Sequence, residues 1–358
     1  MNSHSKFRGG PILWCILAAV VVIAIFAAAG MRGLPQNVAY VTEEDGGISV
    51  VDLQTLKVVR RVHPANVAPR GMGITFDGKY VVTANKDTAD LAVFSTPLLR
   101  LVRRIHMGDN PEFVKFNPSG EWVFASFEPG SQGKPPSAAN ESEEENEPPA
   151  QIASFHLPDW LAGPVAMAGQ ETEGLEFSRD GKLLVVANEA QNTIGVYDPH
   201  TGARLREIDL KSYGLRPRGV KVSPNGTGYA VTMEASGTLA LLNNDFKVVR
   251  SVPTAAKPYG VAFDREGRRI FVAAALGQKL QVFAADSLQL LGEVPIGKRC
   301  WHFTFTPDDS KILMACGRSN NIFIVDPNSY RLIGTIEGFK LPWGIVTYPR
   351  SYGSLGLP

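Results

Sequence analysis

The sequence is poor in several features that would indicate a particular chemistry. Of its 358 residues only 3 are cysteines, and the charges nearly cancel, with 36 Lys and Arg against 35 Asp and Glu. Phosphate binding needs clustered Lys and Arg, so the lack of a basic excess argues against a nucleic-acid partner. The 35 glycines and 25 prolines, by contrast, suit many short strands joined by turns.

Short catalytic motifs are missing as well. The chain has no C-x-x-C-H for covalent haem attachment and no C-x-x-C for zinc binding or dithiol exchange. It also lacks G-x-S-x-G, G-x-x-x-x-G-K-[ST] and H-E-x-x-H. The sequence therefore favours a protein that is not an enzyme, on negative evidence alone.

The N-terminus has the pattern of an export signal. Residues 1–10 carry Lys6 and Arg8, and residues 11–30 read PILWCILAAVVVIAIFAAAG, which matches the ~20 residues of one bilayer crossing. Positive charge before the apolar run predicts that residues 1–10 stay in the cytoplasm and that the remaining chain lies on the periplasmic side of the inner membrane. The A-x-A pattern at its end leaves a cleaved signal peptide and a soluble periplasmic protein as the alternative.

One pattern recurs along the rest of the chain: P-x-G, alternating apolar residues and a polar turn. We call the first residue of each copy an anchor, and the anchors are Pro69, Pro111, Thr172, Pro217, Pro258, Cys300 and Pro342. Successive anchors lie 41–45 residues apart, apart from one interval of 61. A period of ~40–45 residues with four strands in each unit is typical of propeller blades.

The two ends of the repeat region complete each other. The last anchor is followed by one strand only, whereas residues 37–62 supply three strands without an anchor. Joined in one blade, they predict an all-β, closed seven-bladed propeller over residues 37–350, followed by a C-terminal tail at 351–358. The acidic, Pro-rich residues 130–150 explain the long interval as an insertion between two strands of one blade, without a strand pattern of its own.

The repeated P-x-G, V-A-N and V-D elements resemble the YVTN family of seven-bladed propellers, over residues 37–350. This family lies in the same broad group as the haem-binding propeller of periplasmic nitrite reductase. The resemblance implies a fold that hosts lactone hydrolysis, cofactor handling or plain binding, and therefore does not select a function.

Two rings of residues are predicted to share one rim of the central channel. The position after each anchor holds Arg70, Glu112, Glu173, Arg218, Tyr259, Trp301 and Trp343. The turn after the second strand of each blade holds Lys86, Glu128, Glu189, Glu234, Ala275 and Gly317, with Glu43 as the counterpart in the composite blade. The simplest interpretation is that turns are polar and that these charged side chains are only solvated.

The functional interpretation of these rings is a ligand funnel. The carboxylates, with the amides of Asn85 and Asn188, would hold a hard cation such as Ca²⁺. Arg70 and Arg218 would bind an anionic group, and the aromatic side chains would contact a flat one. His302 stands two residues after its anchor, where five anchors have Gly; it is either a ligand-binding group or a packed side chain.

The hairpin at 299–316 predicts a disulfide. A register that places Phe303 opposite Leu313 and Trp301 opposite Ala315 also places Cys300 opposite Cys316. Facing residues have Cα atoms ~4.5–5.5 Å apart, which lies inside the range of ~4.4–6.8 Å for a disulfide. In an exported protein the two thiols would be bridged, and in a reducing compartment they would stay free.

From these observations the sequence predicts a monomeric, non-catalytic binding or assembly module. Its rim would face a periplasmic protein or a small-molecule ligand. Two alternatives remain: a metal-assisted lactone hydrolase that holds its ion with rim Glu and Asn side chains, and a protein that handles haem or a quinone cofactor with His302 as axial ligand.

Overall fold

The computed structural model describes residues 36–64, 67–130 and 148–357. In these ranges the chain forms 28 β-strands and one 3₁₀ turn at Gly317–Ser319. No helix in the same ranges is long and apolar enough to cross a membrane. The segments predicted at 1–10 and 11–30 lie outside the described residues, and so does most of the predicted insertion, at 131–147.

The strands follow the chain in groups. The first strands are β1 (Val38–Glu43), β2 (Gly47–Asp52), β3 (Lys57–Val62), β4 (Pro69–Ile74), β5 (Tyr80–Asn85), β6 (Asp90–Ser95), β7 (Arg100–His106), β8 (Pro111–Phe116), β9 (Trp122–Phe127), β10 (Gln151–His156), β11 (Ala162–Met167), β12 (Thr172–Phe177), β13 (Leu184–Asn188), β14 (Thr193–Tyr197) and β15 (Arg204–Asp209).

The remaining strands continue the same order. They are β16 (Pro217–Val222), β17 (Tyr229–Met233), β18 (Thr238–Leu242), β19 (Val248–Pro253), β20 (Pro258–Phe263), β21 (Arg269–Ala274), β22 (Lys279–Ala284), β23 (Leu290–Pro295), β24 (Cys300–Phe305), β25 (Ile312–Cys316), β26 (Asn321–Asp326), β27 (Arg331–Ile336) and β28 (Pro342–Tyr348).

These strands form seven four-stranded antiparallel sheets, and six of the sheets use four consecutive strands. The seventh has the order β28-β1-β2-β3, with Tyr40 opposite Val346. Pairing with β28 gives β1 a neighbour on an edge that would otherwise be free. The predicted all-β propeller with seven blades and terminal strand closure is confirmed, and every predicted anchor is the first residue of an innermost strand.

Burial follows the position of a strand within its blade. β1 and β2 are buried at every residue, whereas β3 alternates between exposed and half-buried residues. The inner strands lie between the faces of neighbouring blades, so both of their faces are apolar. One such core joins Val41 and Val51 of the composite blade to Leu313 and Ile324 of the preceding blade. Stacking of blade faces is therefore the main source of buried apolar area.

Each innermost strand begins irregularly. All seven residues before the anchors have a positive φ, for example 60° at Arg216 and 53° at Arg299. Directly after each anchor the pairing shifts register, as between Pro217 and Val220 or between Pro258 and Val261. Such bulges turn a side chain away from the regular alternation of the strand. The residue after each anchor is the one that is turned.

This bulge corrects the predicted hairpin register. Phe303 lies opposite Met314 rather than Leu313, and His302, not Trp301, lies opposite Ala315. The shift at Trp301 then restores the predicted opposition of Cys300 and Cys316. The expected register was wrong for most of the hairpin because the sequence gives no signal for the extra residue.

The end of the chain lies inside the central channel. We call residues 351–357 the tail. Its Tyr352 carbonyl accepts a hydrogen bond of 2.9 Å from the Phe305 amide of β24. Farther along, the Gly356 carbonyl accepts hydrogen bonds from the ammonium groups of Lys115 (3.2 Å) and Lys221 (3.0 Å), on two other blades. The tail is therefore part of the packed interior of the propeller.

Candidate ligand-binding site

The side chains that follow the anchors meet at one end of the central channel. They surround a cavity of about 280 Å³, which we call the funnel. Its lining residues are Glu44, Arg70, Lys86, Glu112, Glu128, Glu171, Glu173, Glu189, Arg218, Glu234, Tyr259, Arg299, Trp301, Arg318, Leu341 and Trp343. The structure thus brings together most of the residues predicted for the rim. Four predicted positions do not line the funnel: Glu43, Ala275, His302 and Gly317.

Glu43 is misplaced by the sequence interpretation. Its carboxylate is buried, accepts hydrogen bonds from Ser49 and from the Lys340 amide (2.6 Å), and does not line the funnel. The Glu44 amide instead bonds the Leu341 carbonyl, in the same way as the Glu189 amide bonds the Glu171 carbonyl. Glu44 is therefore the structural counterpart of the other turn residues, one position after the residue expected.

Sequence reasoning missed a third ring, at the position before each anchor. Glu171, Arg299 and Leu341 from this ring line the funnel. Asn110 and Arg216 from the same ring contact its glutamates directly. The signal was present, because five of the seven residues at this position are charged or amide-bearing, but only the left-handed backbone shows that their side chains reach the channel.

Arg218 organises one half of the funnel. Its guanidinium donates to Glu189 (2.8 Å) and also to Glu173 and Glu234. It lies 4.3 Å from the centre of the Tyr259 ring, which is the geometry of a cation–π contact. Its side chain is only 13% exposed. A buried guanidinium surrounded by carboxyl groups is a compensated charge. Glu189 also pairs with Arg216 (2.9 Å), whereas Glu173 pairs with Arg218.

A second cluster forms around Arg70. Its guanidinium donates to Glu44 (3.0 Å) and to Glu112. The Asn110 amide donates both to Glu112 (3.1 Å) and to Glu128 (2.6 Å) and so holds these two carboxyl groups next to each other.

The two carboxyl groups of this cluster favour their neutral forms. Burial raises the pKa of Glu112 to about 7, although the charge of Arg70 opposes the rise. Burial raises the pKa of Glu128 well above its ordinary value, and the neighbouring Glu112 adds to this effect. A carboxyl group that titrates near neutrality can both accept and donate a proton at physiological pH.

The aromatic side chains occupy the other side of the funnel. Tyr259, Trp301 and Trp343 come from three consecutive blades, and Trp301 is the half-buried member of the three. A disulfide joins Cys300 and Cys316, and both residues are fully buried. This bridge lies at the funnel end of the hairpin and fixes the backbone that carries Trp301.

His302 lies below the funnel and does not line it. The imidazole is 3% exposed and is surrounded by the rings of Phe113 (5.7 Å), Tyr259 (5.3 Å) and Trp343 (4.4 Å). Burial, with the charges of Arg218 and Lys221, lowers the pKa of His302 to about 3. It is therefore a neutral side chain in a packed aromatic setting.

Two predicted cofactor interpretations do not fit this geometry. Among the described residues no group of three or more His, Cys, Asp and Glu side chains is arranged to hold a metal ion. The amide of Asn85 bonds Asp90 and that of Asn188 bonds Thr193, so both serve their own turns. The cavity beside His302 measures about 10 Å³, which leaves no room for a haem at its imidazole.

Comparison with known proteins supports the fold. Residues 161–248 match the family model described as lactonase, 7-bladed beta-propeller. The chain is a seven-bladed β-propeller. The predicted resemblance to this class of propellers is thereby confirmed, and no curated protein matches the sequence significantly.

Several solved structures share this propeller fold. A functionally unknown protein from Desulfotomaculum acetoxidans is 15% identical, with a TM-score of 0.74 over 87% of this chain and 98% of that chain. The periplasmic gluconolactonase of Pseudomonas aeruginosa is 17% identical, with a TM-score of 0.68 over 87% of this chain and 98% of that chain. Hydrazine synthase of Kuenenia stuttgartiensis is 18% identical, with a TM-score of 0.64 over 78% of this chain and 89% of that chain.

The Arg218 cluster predicts a large difference between two arginine substitutions. Arg218→Met removes the cation that three buried carboxyl groups share and is expected to lower the free energy of unfolding by about 3–5 kcal/mol, chiefly through Glu173, because Glu189 keeps its contact with Arg216. Arg265→Met is the control, because Arg265 is 45% exposed in its pair with Asp309 and should cost less than about 1 kcal/mol. Urea unfolding of both variants measures the difference, and equal losses would contradict the cluster.

The Glu112 carboxyl predicts a pH dependence. Its folded-state pKa of about 7 lies above the ordinary 4.5, so between these values the folded protein retains a proton that the unfolded chain loses. The contribution of Glu112 to stability therefore falls as pH rises from about 4.5 to 7, by at most about 3 kcal/mol. Urea unfolding at pH 5 and pH 8 should show this fall in the wild type relative to Glu112→Gln.

The matched control for the pH experiment is Glu207→Gln. Glu207 lies on the outer strand β15 and pairs with the exposed Arg204. This variant should keep the pH dependence of the wild type. If Glu112→Gln also keeps the pH dependence of the wild type, the raised pKa of Glu112 in the folded protein is contradicted.

Proposed function

We propose that the funnel binds one small polyhydroxylated, sugar-like molecule. The observation that carries the proposal is the combination, in one cavity of about 280 Å³, of fixed Arg–Glu clusters and an arc of aromatic side chains. This volume is close to the lower end of the ~300–1,000 Å³ usual for small-molecule sites. A concave site of this size accommodates a single small ligand more readily than a protein segment.

The chemistry of the wall favours hydroxyl groups on the ligand. The guanidinium N–H groups of Arg218 that face Glu173, Glu189 and Glu234 are already used by these carboxylates. The remaining carboxylate lone pairs are acceptors, and ligand hydroxyls are the matching donors. The half-buried Trp301 offers an apolar face for the C–H surface of a sugar ring, and the buried Tyr259 and Trp343 contribute ring edges to the cavity wall.

Hydrolysis of a lactone in the same funnel is the second candidate. The observation that favours it is the Glu112 carboxyl, whose pKa is raised by burial to about 7 next to the guanidinium of Arg70. An ionised Glu112 would accept a proton from an attacking water, and Arg70 would stabilise the negative charge that develops on the carbonyl oxygen. The similarity to propellers described as lactonases supports this candidate.

We also propose that the propeller is an exported monomer, held at the periplasmic side of the inner membrane by residues 11–30. The apolar run in the sequence supports the anchor, and the Cys300–Cys316 disulfide is typical of proteins in oxidising compartments. The partner is then a periplasmic small molecule or protein that reaches the funnel.

Ligand binding in the funnel gives the first test. Calorimetric titration of the full chain with a hexose δ-lactone and with the corresponding aldonate should show binding of at least one of them. Trp301→Ala should weaken it about five- to tenfold, because a lost aromatic contact costs about 1–1.4 kcal/mol. Trp160→Ala is the control, since Trp160 packs against Tyr80, away from the funnel.

The same experiment separates the two candidate functions. Titration of released acid during incubation with the lactone measures turnover, which should rise with pH around a midpoint near 7 and disappear in Glu112→Gln. Binding without turnover supports the binding module. Neither binding nor turnover with either probe contradicts the proposed ligand class.

Expression of the full chain in a Gram-negative host tests the anchor. Intact chain should stay in the membrane pellet after extraction at alkaline pH, because one bilayer-spanning segment resists this treatment. Mass measurement of the N-terminal peptide distinguishes an uncleaved anchor from a processed signal peptide. Recovery of the intact chain from the cytosol would contradict export.

A further inference from the structure

A small cavity of about 10 Å³ lies directly beneath the funnel. Glu173, Arg218 and Tyr259 line both cavities, so the two cavities adjoin at these residues. Phe113, His302 and Ser354 line the lower cavity only. A space of about this size holds one water-sized oxygen when polar partners are present.

Two buried polar atoms belong to residues that line this cavity. Arg218 Nε and His302 Nε2 are both buried, and neither has a hydrogen-bond partner among the described residues. Buried polar atoms in folded proteins almost always have a partner. Their coincidence at one oxygen-sized cavity indicates that a single group serves both atoms.

Arg218 Nε always donates, and the tail determines whether His302 Nε2 donates or accepts. The Ser354 hydroxyl accepts a hydrogen bond from the Phe303 amide (3.0 Å) and lies 3.1 Å from the Phe303 carbonyl, to which it donates. Since a hydroxyl has one proton, the bond of 3.0 Å between Ser354 Oγ and His302 Nδ1 takes its proton from the imidazole. A neutral imidazole with its proton on Nδ1 has a bare acceptor at Nε2.

We propose that the lower cavity is a site for one hydroxyl-type oxygen, which accepts a hydrogen bond from Arg218 Nε and donates one to His302 Nε2. The oxygen belongs either to a water molecule or to a hydroxyl group of the funnel ligand. Both have the required chemistry of one acceptor lone pair and one O–H donor. Ser354 acts as a positioning residue, because it sets the imidazole tautomer. The inference rests on the proposed function only for the ligand hydroxyl.

Crystal structures of the full chain test the site and identify the source of its oxygen. One crystal is grown without ligand and one is soaked in sodium gluconate. An isolated oxygen within hydrogen-bond distance of both atoms in the first crystal identifies a water. Density continuous with the gluconate in the second identifies a ligand hydroxyl. If neither crystal has an oxygen bonded to both atoms, the proposal is wrong.

NMR of the full chain labelled with ¹⁵N-histidine tests the role of Ser354 without any ligand. The chain has 6 histidines, and the His302 signals are those lost in His302→Gln. At pH 7 they should show one neutral tautomer with the proton on Nδ1, and Ser354→Ala should produce a mixture of tautomers. Ser351→Ala is the matched control, because Ser351 bonds Phe305 and not His302. A proton on Nε2 in the wild type would overturn the proposal.

The outcome of these two experiments can contradict the oxygen site without contradicting sugar binding in the funnel, and the reverse also holds. If calorimetry shows no sugar binding, a ligand hydroxyl is excluded as the source of the oxygen. The His302 tautomer and a bound water can still be observed without any ligand. An Nε2-protonated His302, by contrast, would refute the oxygen site even if the funnel binds its ligand.

Discussion

The irregular start of each innermost strand determines where the side chain that follows each anchor points. A regular strand places residues one and three positions after the anchor on the same face. Arg218 would then share the face of Val220, which packs in an apolar core between blades. The left-handed residue before the anchor and the bulge after it separate the two, so that Arg218 turns to the channel while Val220 stays in the core.

Once these side chains converge, their charges must compensate one another. Arg218 is held by Glu173 and Glu189 of the preceding blade and by Glu234 of its own blade, and Arg70 is held by Glu44 and Glu112. These networks fix the polar groups before any ligand arrives, which lowers the reorganisation that binding requires. Where acidic groups outnumber the available cations, as at Glu128, burial favours the protonated carboxyl instead.

The tail completes the interior from the opposite side. Lys115, Glu176 and Lys221 form a buried charged cluster in the channel, and the Gly356 carbonyl accepts from both ammonium groups. Ser354, nearer the funnel, contacts His302. Burial lowers the pKa of Lys221 well below its ordinary value. One short segment thus supplies a carbonyl acceptor to both buried lysines and orients the imidazole that lies beneath the funnel floor.

The sequence alone determined the number of blades, their anchors and the terminal closure, because these follow from a repeat whose strands pair locally within each unit. It also identified most of the funnel, since residues at equivalent repeat positions meet around one axis. Tertiary structure decided the rest. The choice of Glu44 over Glu43, the burial of His302 and the course of the tail depend on bulges and on contacts between distant blades. The contacts of His302 and of the tail leave no periodic trace in the chain, because each of them occurs only once.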